Sequence, residues 1–464
     1  MLARRIALVV AFLAMLGAAR ATLAAGAVAA PAPFLKPRPR PTAAFERPAT
    51  DIQPGRNSYT VPEAPKSPDC GAHFCVHWVD QGLDAPRPKD TNGDGIPDYV
   101  ERVLAVAEQV HEIENEKLGW REPLSDGTLG GGDGETDVYL AEIGPQLFGY
   151  AAPDRGQAGP RGRSSRHLYG YLVLDNDYEP FEFPNTTQSR DLKVTFAHEY
   201  NHILQFGYDA YEDPWFAEST AVWMEDQVYN GINDYLRYVR RWVKLWDTPL
   251  TANSLKEYGT AVWNEWLAHH YGRALIREAW ADAAKARPDG FAVAAYESAI
   301  RAAGGAGFGH DFSRFAADVA EWRTGIGFRE SDLYPDVPRQ GSLALGAPPV
   351  TRRLNHTTFS LLGVHAPTGR AVEVDVTAPE GVAAGLVLVG RIGSERHGRT
   401  VKAVAYSRTG GTLTARLPDP ARFQRITAVV VNADTSIAGY SAGHLDWHYL
   451  TDETPFGISG RIVR

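Results

Sequence analysis

The sequence predicts an α+β chain, in which a small mixed sheet and a mostly helical part are followed by an all-β sandwich. Alternating apolar segments and one long amphipathic segment make up the first part of the chain. Helical segments then follow up to Thr324. Near Pro335 the composition changes to short segments rich in Val, Thr, Gly and Leu, at regular spacing. The predicted domains are therefore residues 67–335 and 336–464.

The first 30 residues have the features of a secretory signal peptide. Arg4 and Arg5 precede an apolar run, Ile6–Leu16, which is too short to span a bilayer, and small residues follow it. A retained membrane anchor is the alternative. Residues 31–66 are proline-rich and lack periodicity, which indicates a linker or a pro-segment. We therefore expect a secreted protein with no stable membrane insertion after the signal peptide is removed.

The charge of the chain argues against nucleic acid as a partner. The formal net charge is −9, and it becomes −12 without residues 1–30, whose only charged side chains are Arg4, Arg5 and Arg20. The only two cysteines are Cys70 and Cys75, and export favours a disulfide between them. A small metal site with the alternating His73 and His77 is the alternative. The oligomeric state is left open.

The ordered part of the first domain begins with strand signals at 73–79, 136–144 and 167–175. Between the first two of these lies the amphipathic segment 98–119. Further helices are predicted around residue 198, from 213 to 230, and in four later segments. Those segments are 258–272, 273–286, 291–303 and 312–324.

The stretch VTFAHEYNHILQFGYD, residues 194–209, contains an H-E-x-x-H motif. Positions four apart lie on one face of a helix, so His198 and His202 can bind one metal ion. Glu199 is placed to act as a general base toward a water molecule, as in zinc hydrolases. The alternative is two unrelated histidines on a helix.

A third zinc ligand is expected from the following helix. Metzincins place Gly and His three and six residues after the second motif histidine, but this chain has Gln205 and Tyr208 there. Glu218 follows after a break at 207–214, and a helix that turns back would bring its carboxylate to the metal. Its apolar neighbours indicate burial, and a buried carboxylate needs a partner. Glu225 is an alternative ligand or an acceptor for a ligand histidine.

HEYNHILQF followed by WFAESTAVWMED resembles the gluzincin class of zinc metallopeptidases. WFAEST is similar to the W-x-x-E-x-x-A of aminopeptidase-like members, although the gap between the second histidine and Glu218 is shorter and no G-x-M-E-N motif is present. The chain more closely resembles a group of secreted bacterial metalloproteases, over residues 68–330 and loosely over the β domain. The resemblance implies a zincin-like catalytic domain, catalytic zinc and a protein or peptide substrate.

The resemblance also implies a side chain that stabilises the oxyanion beyond the third ligand. Tyr258, just before a predicted helix, lies in a place similar to the Y-x-x-G tyrosine of aminopeptidase-like enzymes, although here the glycine is adjacent. His269 and His270 are alternatives. A further alternative is that Tyr258 is only a buried core residue.

The segment DTNGDGIPDYVE, residues 90–101, fits the calcium loop D-x-[DN]-x-[DN]-G-x5-E at every position. The segment before it cannot form a normal helix, so a half EF-hand of dockerin-like type with structural calcium is predicted. The expected ligands are Asp90, Asn92, Asp94, the carbonyl of Ile96, Asp98 and Glu101. A metal-free turn that caps a helix is the alternative.

The leading hypothesis is a secreted zinc peptidase in which Glu199 is the general base. One alternative is an exported binding or adhesion protein with a vestigial site, and another is a zinc hydrolase of a non-peptide substrate. The intact set of His198, Glu199, His202 and Glu218 favours an enzyme.

Overall fold

The computed structural model describes most of the chain after residue 58. The described ranges are 59–131, 134–145, 147–154, 166–285, 292–323, 329–365, 368–394, 397–436 and 451–463. The predicted signal peptide and residues 31–58 of the predicted linker lie outside them. No described helix has the length and apolar character that a membrane crossing requires.

The described residues form eight α-helices and fourteen strands, which confirms the α+β class. The helices are α1 (Asp98–His111), α2 (Gln188–Asp209), α3 (Pro214–Val228), α4 (Leu236–Trp242), α5 (Ala261–Tyr271), α6 (Ala274–Lys285), α7 (Ala292–Ala302) and α8 (Phe308–Val319). The strands of the first half are β1 (Asp69–Cys70), β2 (Phe74–His77), β3 (Thr136–Ala141), β4 (Gly149–Pro153) and β5 (Gly170–Asp175). Those of the second half are β6 (Ser342–Leu343), β7 (Val350–Leu354), β8 (Thr358–Val364), β9 (Ala371–Ala378), β10 (Ala384–Ile392), β11 (Arg399–Ser407), β12 (Gly411–Pro418), β13 (Arg425–Asn432) and β14 (Thr454–Val463).

The chain divides into two compact units. The first comprises residues up to 212 together with 220–234, and the second comprises 213–219 together with 235–464. The continuous helix α3 therefore begins in the second unit and ends in the first. This division does not coincide with the boundary predicted at residue 336, and the predicted domains stay a prediction.

The first unit is built on a five-stranded mixed sheet with the order β1-β2-β3-β5-β4. Strands β2, β3 and β5 run parallel, while β1 and β4 pair antiparallel at the edges. Helix α2 packs on this sheet because its apolar face meets the buried strands. The rings of Phe196 and Tyr200 lie 5.4 and 5.0 Å from the ring of Phe74 on β2. The predicted strands at 136–144 and 167–175 are thus β3 and β5.

The cysteines form the predicted disulfide. Cys70 and Cys75 are directly opposite in the hairpin of β1 and β2, and their sulfur atoms are bonded. The two neighbouring histidines have other partners. His73 Nδ1 lies 2.7 Å from a Glu108 oxygen, and His77 lies between Glu63 and Asp137. The disulfide and these contacts therefore exclude the alternative, a small metal site made of the two cysteines and the two histidines.

The second unit combines helices with two sheets. The sheets have the orders β11-β10-β13-β8-β6 and β12-β9-β14-β7, and residues of both contribute to one hydrophobic core that includes Leu362, Val374 and Phe456. Helix α8 packs against β10, where Gly385 leaves room for Ser313. The segment after α8 adds an ion pair, since Arg425 Nε donates to Glu321 at 2.7 Å. These contacts explain why the helices after residue 235 share a compact unit with the strands.

Candidate metal centre

Helix α2 presents the two motif histidines on one buried face. Its N-terminus is capped by Thr187, whose side-chain oxygen accepts a hydrogen bond from the Arg190 backbone at 3.3 Å. His198 and His202 are only 4% and 1% exposed, and their ring centroids are 4.8 Å apart. The local sequence gives this geometry because residues four apart lie one above the other on a helix.

The orientation of His198 is set by a carboxylate from helix α3. Nδ1 of His198 lies 2.7 Å from Oε1 of Glu225, and both side chains are buried. The carboxylate acceptor fixes the proton on Nδ1, so that Nε2 is the nitrogen with a lone pair for a metal ion. Glu225 therefore has the contact of a residue that supports a ligand, which was one of its predicted roles.

The orientation of His202 is set within its own helix. Its Nδ1 donates to Oε1 of Gln205 at 2.8 Å, and Nε2 of Gln205 donates to Oδ1 of Asn201 at 2.7 Å. The amide of Asn201 in turn donates to Oε2 of Glu114 at 2.9 Å. All of these side chains are buried, so each hydrogen bond is protected from water. With its proton on Nδ1, His202 carries the lone pair on Nε2, which is the nitrogen that the prediction assigns to the metal.

Glu218 is the third residue of the predicted ligand set. One ligand atom from each of His198, His202 and Glu218 lies within 4.8 Å of the other two, and Glu218 is 3% exposed. Two imidazoles and one carboxylate are the donor set of an open catalytic zinc site. The residues present therefore fit zinc, and their role as ligands stays a prediction.

Glu199 follows His198 on helix α2 and is 4% exposed. Its charge acts on Tyr178, which lies in the segment between β5 and α2. Burial raises the pKa of Tyr178 well above its ordinary value, and the negative charges of Asp175 and Glu199 raise it further. The charge of the predicted general base therefore acts on Tyr178, a residue that the sequence analysis did not identify.

Tyr258 lies in a short 3-10 turn, Glu257–Thr260, that leads into helix α5. Its ring is buried and stacks on the ring of Tyr238 at 5.1 Å. The preceding residue, Glu257, is buried, and its pKa is raised well above the ordinary value by burial and then by the charge of Glu218. The charge of Glu218 therefore acts on the turn that carries Tyr258.

The alternative histidines, His269 and His270, lie at the end of helix α5. The side chain of His269 is exposed. His270 stacks on Trp266 and its Nδ1 lies 2.8 Å from the carbonyl of that residue, while burial lowers the pKa of the ring. The packing of His270 on its own helix is sufficient to account for its position.

The predicted calcium loop folds into a tight turn closed by its own side chains. Asp90 accepts hydrogen bonds from the backbone of Gly93 at 2.7 Å and of Gly95 at 2.8 Å. Gly95 has φ +87°, a conformation that side chains disfavour. The amide of Asn92 donates to both Asp94 and Glu101, at 3.0 and 2.9 Å. These contacts bring Asp94 and Glu101 toward one amide, which fits a loop built around a cation.

Asp98 has different partners from the other predicted calcium ligands. Its carboxylate accepts hydrogen bonds from Lys89 Nζ at 2.6 Å and from the backbone of Thr91 at 2.6 Å. These contacts hold the pKa of Asp98 well below its usual range. The backbone N–H of Ile96 donates to Asp94 at 2.8 Å. The calcium site at 90–101 stays a prediction.

A comparison with models of known protein families gives no match, and no curated protein matches the sequence of this chain.

Proposed function

We propose that this protein is a secreted zinc-dependent peptidase of gluzincin type. The observation that carries the proposal is the group of His198, His202 and Glu218, whose ligand atoms lie within 4.8 Å of one another. The contact between His198 and Glu225 supports it, because a ligand histidine ordinarily donates its second N–H to a carboxylate or carbonyl. The proposal includes a zincin-like arrangement of the first part of the chain and a β-sandwich for the strands after residue 342.

When bound, zinc would supply a Lewis acid that polarises a peptide carbonyl and lowers the pKa of water. Glu199 would take the proton from the attacking water and deliver it to the leaving amine. Its place beside His198 on one helix turn makes this transfer short. Tyr258 would donate a hydrogen bond to the oxyanion. Burial of the histidines and of Glu199 excludes bulk water, which strengthens each of these interactions.

Export is part of the proposal and rests on the first 30 residues together with the disulfide. A bond between Cys70 and Cys75 is what an oxidising compartment produces. The proposed substrate is a protein or peptide, and the proposed metals are catalytic zinc and structural calcium. An exported binding protein with a vestigial site would keep the fold but would not cleave peptides.

The test combines metal analysis with a peptide library. The mature chain should contain one zinc ion and should cleave members of the library. Glu218→Ala should lose both zinc and cleavage, while Glu116→Gln, an exposed residue of the same charge, should keep both. A chain that binds zinc and cleaves no peptide would contradict the proposed activity. A chain in which Glu218→Ala keeps full zinc would contradict the proposed ligand set.

A further inference from the structure

A second group of acidic side chains lies at one edge of the sheet in the first unit. Strands β3 and β5 are parallel neighbours, and Ala141 pairs with Asp175 at their ends. Glu142 directly follows β3, so the two carboxylates project from the same sheet edge. Glu182 is supplied by the segment between β5 and α2. One carboxylate oxygen from each of Glu142, Asp175 and Glu182 lies within 4.8 Å of the other two.

Asp175 is the centre of this group and is fully buried. Its Oδ1 accepts hydrogen bonds from the backbones of Asp177 at 3.1 Å and Tyr178 at 2.5 Å. Its Oδ2 is buried and has no hydrogen-bond partner among the described residues, and the same holds for Oε2 of Glu182. A buried carboxylate oxygen without a donor is costly. Since Oδ1 accepts the two backbone hydrogen bonds, Oδ2 is the oxygen of Asp175 that can bind a ligand together with Glu142 and Glu182.

Within the described ranges, none of the three acids forms an ion pair. Asp177 and Glu179 add negative charge nearby, and Arg87 forms ion pairs with those two residues rather than with the three acids. Burial, followed by the charge of Glu142, raises the pKa of Asp175 to about 8, although the hydrogen bonds from the backbone act in the opposite direction. The pKa of Glu182 is raised by burial and by Glu142. A cation bound among the three carboxylates would offset their mutual repulsion. It would also give their buried oxygens a partner.

We propose that Glu142, Asp175 and Glu182 bind a calcium ion. All three donors are carboxylate oxygens from separate chain segments, and a set of donors made only of oxygens is typical of a hard cation such as calcium. One oxygen of Asp175 and up to two from each glutamate supply three to five of the six to eight oxygens that calcium takes, and water molecules or backbone carbonyls would supply the rest. The site is separate from the loop at 90–101 and does not depend on the proposed zinc centre.

The site lies next to the segment that leads into the motif helix. The same Asp175 carboxylate accepts a hydrogen bond from the backbone of Tyr178, and the charge of Glu199 acts on the hydroxyl of Tyr178. Tyr178 has φ +47°, and its hydroxyl donates to the carbonyl of Phe148 at 2.9 Å. A cation bound to Asp175 would therefore hold Tyr178 in place, and Tyr178 is a residue on which the charge of the predicted general base acts.

The experiment is calcium titration of the mature chain, followed by equilibrium dialysis against calcium alone. Wild type should bind one more calcium ion per chain than Glu182→Gln. Asp175→Asn should also lose this ion. The side-chain oxygen that Asp175→Asn retains can still accept the two backbone hydrogen bonds. Asp94→Ala in the loop at 90–101 should leave this calcium ion bound. Glu116→Gln is the charge-matched control. Unchanged calcium binding in both Glu182→Gln and Asp175→Asn would overturn the proposal.

Thermal unfolding gives an independent readout. Without calcium, Glu182→Gln should be at least as stable as wild type, since it removes one of three repelling charges. With calcium, the melting temperature of wild type should rise by more than that of Glu182→Gln. If Glu182→Gln does not fold, Glu142→Gln, whose side chain is less buried than Asp175, is measured in the same way. Equal calcium-induced shifts in wild type and variant would contradict the site, and equal binding of magnesium would contradict its proposed preference for calcium.

Discussion

The Nδ1 atom of His198 lies 2.7 Å from Oε1 of Glu225, and the two side chains are 4% and 5% exposed. Glu225 is on the helix that also carries Glu218, seven residues further along the chain. One helix therefore provides both a predicted metal ligand and the group that orients another ligand. The proposed zinc affinity would therefore depend on Glu225 without requiring Glu225 to touch the metal.

Glu225→Ala should weaken zinc binding about 10–100-fold, because the imidazole of His198 loses the acceptor that fixes its proton and ring plane. Glu225→Gln keeps an oxygen acceptor and should retain most of the affinity. The measurement is competition with a zinc chelator. A larger loss in Glu225→Ala than in Glu218→Ala would show that Glu225, and not Glu218, is the third ligand.

Glu199→Gln should keep zinc and the fold, because the amide has the same shape and no ligand is removed. It should reduce turnover of a library peptide by about 10²–10⁴-fold, the usual contribution of a general base. Zinc content and turnover are measured on the same preparation. Near-wild-type turnover would rule out Glu199 as the base, and loss of zinc would assign it a ligand or structural role.

Tyr258→Phe should lower kcat about 10²–10³-fold with unchanged zinc, since only a hydroxyl that contacts the oxyanion is removed. The ring stays and can still stack on Tyr238. Tyr238→Phe, which removes the hydroxyl of the stacking partner, is the matched control and should have little effect. Equal kcat values for the two variants would leave Tyr258 as a core residue.

Asp94→Ala should reduce the calcium dependence of stability that arises from the loop at 90–101. Asp94 accepts hydrogen bonds from Asn92 and Ile96, so the variant also loosens the metal-free turn. A chelator should lower the melting temperature of wild type more than that of Asp94→Ala. Asp332→Ala, at an exposed position, should respond like wild type. An equal response of all three proteins would indicate a metal-free turn.

His356 predicts a pH dependence of stability in the second unit. Burial lowers its pKa, but Asp434 and Asp452 outweigh burial and raise the pKa from 6.5 to about 9. The folded state thus binds the proton more tightly than the unfolded state. Its stabilising effect is complete below pH 6.5 and is lost as the pH rises toward about 9. Solvent screening reduces the loss to on the order of 1–2 kcal/mol.

Denaturant unfolding at several pH values between about 6 and 9 checks this effect. His356→Gln should be less stable than wild type at the acidic end, and the difference should shrink toward the alkaline end. His269→Gln changes an exposed histidine and should follow the wild-type profile. A constant difference between wild type and His356→Gln across the range would show that packing, and not the proton, carries the effect.

The features that depend on local spacing could be read from the sequence. The separation of His198 and His202 determines that they share a helix face, and Pro214 marks the first residue of α3. The regular spacing of short segments rich in Val, Thr, Gly and Leu predicted strands after Pro335, the region that contains β6 to β14. The helix predicted for 98–119 is α1 followed by a π-helical segment, Glu112–Lys117. Each of these follows from the backbone periodicity of one segment.

The features that join distant segments were decided by the tertiary structure. Strand β4, helix α4 and strand β14 were not predicted, because their short patterns gain stability only from their partners. The amide chain from Gln205 to Glu114 and the meeting of Glu142 with Asp175 also escaped prediction. Parallel pairing of β3 with β5 creates that acidic edge, and pairing between strands far apart in the chain leaves no local signal. Sequence spacing therefore determined which side chains share an element, and packing decided which elements share a site.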